Sequence, residues 1–119
     1  MKELNINSEQ KIELICQSAH DKKAEEIVIM EMRRKSAFCD YFVVMSASSS
    51  VRAKTIADSI EETLKGEDLR ARHKEGYADG VWVLLDYGDV VVHIFSQESR
   101  KFYNLETLWG DAPKRLFVK

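Results

Sequence analysis

With 119 residues, 45% of them hydrophobic and 32% charged, the chain is long enough to bury one core without disulfides or metal. A formal net charge of −2 argues against binding nucleic acid over the whole surface, which needs a strongly basic protein, and leaves room only for a local basic patch. No apolar run approaches the ~20 residues that span a bilayer, and Met1–Ile6 lack the apolar centre of a signal peptide, so a cytoplasmic protein without membrane contact is expected.

Ile12, Ile15, Cys16 and Ala19 fall at the i, i+3, i+4, i+7 spacing of an amphipathic helix. Asn7 or Ser8 suits its N-cap, because a side-chain oxygen there accepts from the free N–H groups of the first turn, and Glu9 suits the positive end of the dipole. Ile27-Val28-Ile29-Met30 and Tyr41-Phe42-Val43-Val44-Met45 read as short buried strands. The basic Arg33-Arg34-Lys35-Ser36 between them reads as an exposed loop. The serines of Ser46-Ala47-Ser48-Ser49-Ser50 offer several N-caps for a second helix carrying Ala53, Ile56, Ala57, Ile60 and Leu64, with Glu61 and Lys65 able to pair on its wet face. Gly66 is expected to end that helix in the left-handed conformation. Leu69–His73 reads as another short strand.

Two apolar runs then flank Asp86-Tyr87-Gly88-Asp89, the pattern of a hairpin spanning Trp82–Phe95. On its first strand Trp82, Leu84 and Asp86 point one way, and Val81, Val83 and Leu85 the other. A last helix carries Phe102, Leu105, Leu108 and Trp109, and residues 110–119 read as a tail. The order is α-β-β-α-β-β-β-α in one domain spanning 1–119. The helix between Met45 and Leu69 suits a parallel crossover and the Tyr87-Gly88 turn an antiparallel pair, which together predict a mixed sheet of about five strands in an α+β fold, with α/β as near neighbour.

Cys16 and Cys39 sit among apolar residues and read as buried free thiols. Asp86 and Asp89 straddle a turn, whereas two carboxylates holding magnesium beside a triphosphate belong on one strand face two residues apart; hydrogen bonding to the turn backbone is the simpler role. The serine run lacks the glycines and lysine of a phosphate loop, so it reads as a cap. His20, His73 and His93 lie far apart in sequence, neither cysteine stands at metal-ligand spacing to any of them, and His93 reads as a satisfied core histidine. No catalytic, cofactor or metal residue is assigned.

The ordered set Cys39-Asp40-Tyr41-Phe42-Val43, Ser48–Ser50, Ile56-Ala57-Asp58, Glu75-Gly76, Gly80-Val81-Trp82, Leu85-Asp86-Tyr87-Gly88-Asp89-Val90-Val91-Val92-His93, Arg100-Lys101-Phe102-Tyr103-Asn104-Leu105-Glu106-Thr107-Leu108-Trp109 and Asp111-Ala112 resembles the ribosomal silencing factor family, also called RsfS or Iojap-like. The resemblance runs over nearly the whole chain. It implies a nucleotidyltransferase-like core without that enzyme activity. It also implies a translational repressor that binds the large ribosomal subunit through ribosomal protein L-fourteen at the intersubunit face and blocks the small subunit. A cytoplasmic protein of the bacterial type, and a homodimer when free, are further implications. The family uses the hairpin and the Arg100–Trp109 helix against its partner, so Trp82, Leu84, Asp86, Tyr87, Asp89, Arg100, Tyr103 and Glu106 become the expected contacts. Trp82 and Tyr87 would be buried anchors, and Asp86, Asp89 and Glu106 would meet a basic surface. Two other readings remain: a nucleotide-binding or nucleotidyltransferase enzyme using the serine turn, and contact of Arg33, Arg34 and Lys35 with ribosomal RNA.

Overall fold

Asn7 starts the first helix, α1 (Ser8–Asp21), through a reciprocal cap: its side chain accepts from the Gln10 N–H at 2.8 Å, and the Gln10 side chain accepts from the Asn7 N–H at 2.8 Å. The structure, a computed structural model, describes residues 6–33 and 39–118. Strands β1 (Glu25–Glu31) and β2 (Tyr41–Ala47) follow. Ser49 then caps α2 (Ser50–Lys65) by accepting from the Arg52 N–H at 3.0 Å. Gly66 keeps a right-handed φ of −62°, contrary to expectation, and Asp68 takes the left-handed turn instead, with φ of 61°.

The third strand, β3 (His73–Glu75), begins where the sequence reading ends it. Leu69 and Ala71 turn inward onto the core instead, and pairing with the next strand begins at Arg72, whose N–H donates to the Asp86 carbonyl at 2.8 Å. The hairpin consists of β4 (Trp82–Asp86) and β5 (Val90–Ser96). Gly76 precedes it with φ of 73°, and a Cβ there would stand 1.9 Å from the Trp82 carbonyl oxygen, so only glycine permits that approach. The expected last helix is two, α3 (Gln97–Tyr103) and α4 (Leu105–Leu108), broken at Asn104, whose φ of 42° ends one and caps the other. Residues 114–116, read as tail from sequence, form β6 (Lys114–Leu116).

The fold is α+β, as expected, with a mixed sheet of six strands ordered β3-β4-β5-β2-β1-β6. Its β2–β5 pair is parallel, and the other neighbouring pairs are antiparallel. The chain therefore crosses from β2 over β5 and β4 to reach β3, which runs parallel to β2 with those two strands between them. Helices α1 and α2 lie on one face of the sheet. Ile12, Ile15, Ile56 and Ile60 there meet Val43, Met45, Val83, Leu85, Val92 and Ile94, all essentially inaccessible to water. Burying each such side chain contributes ~1.5–3 kcal/mol, so this layer dominates stability.

Candidate functional site

Alternation along the strands gives the sheet a second face. It carries Val28 and Met30 of β1, Phe42 and Val44 of β2, Val91, His93 and Phe95 of β5, and Trp82, Leu84 and Asp86 of β4. Leu105 of α4, then Trp109 and Ala112, pack on part of it together with Met32 and Cys39. Phe42, Val91, Trp82 and Leu84 stay partly exposed. No helix comparable to α1 or α2 covers them among the described residues.

This face is an aromatic cluster organised around His93. The Trp82 ring lies 4.9 Å from Phe95 and 5.9 Å from His93, and Phe42 stands edge-to-face to His93 at 4.5 Å. Trp82 Nε1–H donates to His93 Nδ1 at 3.1 Å. Burial pushes the His93 pKa down to about 4, so the ring is neutral at pH 7. With Nδ1 accepting, the one ring proton stands on Nε2, which is buried and has no hydrogen-bond partner among the described residues. An unpaired buried donor costs about 1–3 kcal/mol. The expectation of a satisfied core histidine is therefore half met.

The expected contact residues fall into three groups. Trp82, Leu84 and Asp86 share the second face. Asp86 also closes the turn, accepting from the Gly88 N–H at 2.7 Å, and its carboxylate lies 3.5 Å from Arg72 Nε. Tyr87 does not join Trp82: it is buried in the helix-covered core, where its hydroxyl has no partner among the described residues and burial raises its pKa. Its position two residues after Leu85 gives the reason, since odd-numbered positions of β4 point to the helices.

Asp89 has its own partners within the chain. It ties the hairpin turn to α1 by accepting from Lys11 Nζ at 2.7 Å and from the Ser8 hydroxyl. Burial works to raise the Asp89 carboxyl, and these hydrogen bonds outweigh it, leaving the pKa below the usual carboxylate range. Arg100 is only 7% exposed. Its guanidinium donates to the Glu26 carbonyl at 2.6 Å, to the Ser46 hydroxyl at 2.9 Å, and twice to the Glu106 carboxylate at 3.1 Å. It latches α3 and α4 to the strands. Glu106 keeps part of its carboxylate exposed. The Tyr103 side chain lies outside the described residues.

Elsewhere, Ser49 is a helix cap, and Cys16 and Cys39 are buried and not joined in a disulfide, with the Cys16 thiol pushed up to about 12 by burial. Arg33 donates to the Tyr41 hydroxyl at 2.9 Å, while Arg34 and Lys35 lie outside the described residues. Among the described residues no three His, Cys, Asp or Glu side chains gather where they could hold a metal, and no helix is long and apolar enough to cross a membrane. Sequence reasoning missed Phe42, Val91 and His93 as members of the second face. Their strands are apolar throughout, so alternation carries no sign of which side is covered.

Comparison with known proteins places this arrangement. The family model described as "Ribosomal silencing factor during starvation" matches residues 5–118. Two proteins named "Ribosomal silencing factor RsfS", from Halalkalibacterium halodurans and Bacillus subtilis, are each 36% identical over 108 residues, covering 91% of this chain and 92% of theirs. A crystal structure of a protein from Chromobacterium violaceum superposes with a TM-score of 0.86 at 27% identity, covering 96% of this chain and 95% of that one. A second, from Bacillus halodurans, gives 0.81 at 33% identity, covering 91% and 98%.

Proposed function

We propose that this chain, which belongs to the ribosomal silencing factor family, represses translation by docking the second face of its sheet on the large ribosomal subunit and so excluding the small one. In this reading it meets ribosomal protein L-fourteen at the intersubunit surface. The supporting observation is the partly exposed cluster of Phe42, Trp82, Leu84 and Val91 at the middle of a sheet whose other face is sealed. Uncovered apolar surface of this kind marks a docking site.

The mechanism is occupation of space. A body measuring 44 × 32 × 28 Å seated on the joining surface keeps the two subunits apart without a chemical step. An ordinary interface of ~800 Å² per partner is within reach of one sheet face. Trp82 is the anchor, with Leu84 and Phe42 beside it, while the part-exposed carboxylates of Asp86 and Glu106 orient a basic partner. Tyr87, Asp89 and Arg100 hold the scaffold.

Co-sedimentation with purified large subunits tests this. A Trp82→Ala, Leu84→Lys variant that keeps its circular dichroism spectrum is expected to lose at least about thirtyfold in affinity, the scale of a hot-spot anchor, and to stop preventing subunit joining. Undiminished retention and undiminished repression by this folded variant would exclude the face.

A further inference from the structure

The His93 imidazole is 4% exposed and sits mid-face, in register with Leu84 of β4 and Val44 of β2. Its Nδ1 is occupied by the Trp82 N–H, and its Nε2 is a donor without an acceptor among the described residues. The side chains bounding it on the open side, Phe42, Leu84 and Trp82, are themselves only partly buried. Resting on the docking reading above, we propose that His93 Nε2–H is the polar recognition point of the face, donated on docking to an uncharged carbonyl oxygen of the partner protein. The Phe42 ring, edge-to-face to His93, swings aside to admit it.

The chemistry of the surroundings selects the acceptor. A carboxylate buried here would need a cation, and among the described residues Arg100 is engaged with Glu106, Glu26 and Ser46, and Arg72 with Asp86. A main-chain or side-chain amide oxygen carries no such requirement and answers one N–H donor. The complementary feature on the partner is therefore a projecting carbonyl ringed by apolar side chains. The arrangement makes the free protein carry an unmade hydrogen bond that only the right surface completes, which favours specificity over bare stickiness.

Two substitutions separate the ring nitrogens. In His93→Asn the amide oxygen stands near the position of Nδ1, so Trp82 keeps an acceptor while the Nε2 donor is lost. In His93→Gln the amide N–H₂ reaches the position of Nε2, so the donor is kept. Measured by co-sedimentation with purified large subunits, Asn is expected to weaken binding about tenfold, equivalent to about 1.4 kcal/mol, and Gln to stay within about threefold. Asn binding like the unsubstituted chain, or Gln falling as far as Asn, overturns the proposal. Long-range proton–nitrogen spectra of the free chain must show the Nε2–H tautomer, and the Nδ1–H tautomer also overturns it, whatever the variants do. Loss of binding in Trp82→Ala, Leu84→Lys with none in His93→Asn refutes only this inference. Binding retained in both refutes the docking reading itself.

Discussion

Replacing Arg100 by Ala tests whether that residue is a latch or a contact. Arg100 is 7% exposed, and its guanidinium answers three groups at once: the Glu26 carbonyl on β1, the Ser46 hydroxyl on β2 and the Glu106 carboxylate beyond α3. Removing one partner of a buried ion pair costs about 3–5 kcal/mol, and the 29% exposure of the Glu106 side chain places this pair at the lower end, since water partly recovers the stranded carboxylate. We expect a loss of about 3 kcal/mol for Arg100→Ala, which for a chain of this length lowers Tm by roughly 12 °C. Arg100→Lys recovers less than half of this, because an ammonium cannot fork to the carboxylate and reach the strands together. Urea denaturation of the chain, followed by circular dichroism, reads these values directly. A loss below 1 kcal/mol for Arg100→Ala, with ribosome affinity nonetheless reduced, would refute the latch and make Arg100 a contact.

Two further outcomes concern pH. His93 has its folded pKa lowered to about 4 by burial, so the unfolded chain binds the extra proton first. Stability is then full above pH ~6.5 and falls as pH drops toward 4, by about 3 kcal/mol in all; His93→Gln should flatten this limb of the urea midpoints, and an unchanged slope would deny the burial. Asp89 behaves in a separate window. Its net-lowered pKa contributes stability above the ordinary carboxylate value that is lost as pH falls below ~4, so Asp89→Asn should be less stable at neutral pH and less sensitive to acid in the same midpoints. Equal acid slopes for the two proteins would count against the Lys11–Asp89 tether.

The two long helices were legible because apolar residues at helical spacing need a single covering surface, and α1 and α2 bury the residues that the spacing selects. Alternation in β4 was equally legible and sorted Trp82 and Leu84 from Val83 and Leu85. The same parity extended past Asp86 puts Tyr87 on the Leu85 side; the resemblance, not the pleat, grouped it with Trp82. What sequence could not show are pairings across long separations. Asp89 meets Lys11 across 78 positions, and Arg100 meets Ser46 across 54, so neither partner is visible locally. β6 is three residues, two of them basic, and has neither the length nor the alternation of a strand. Only the bare edge of β1 makes it one.

That late strand has a consequence for how the molecule comes into being. β1 offers one flank to β2 and the other to Lys114–Leu116, and Arg115 also grips Glu9 at 2.7 Å. A nascent chain presents β1 more than eighty residues before its second neighbour has been made. Through that interval the flank is raw, able to recruit a stray strand from another polypeptide. The molecule thus reaches its finished shape only once the ribosome making it has moved past residue 116. Trimming those few positions should leave the core standing but expose a sticky border.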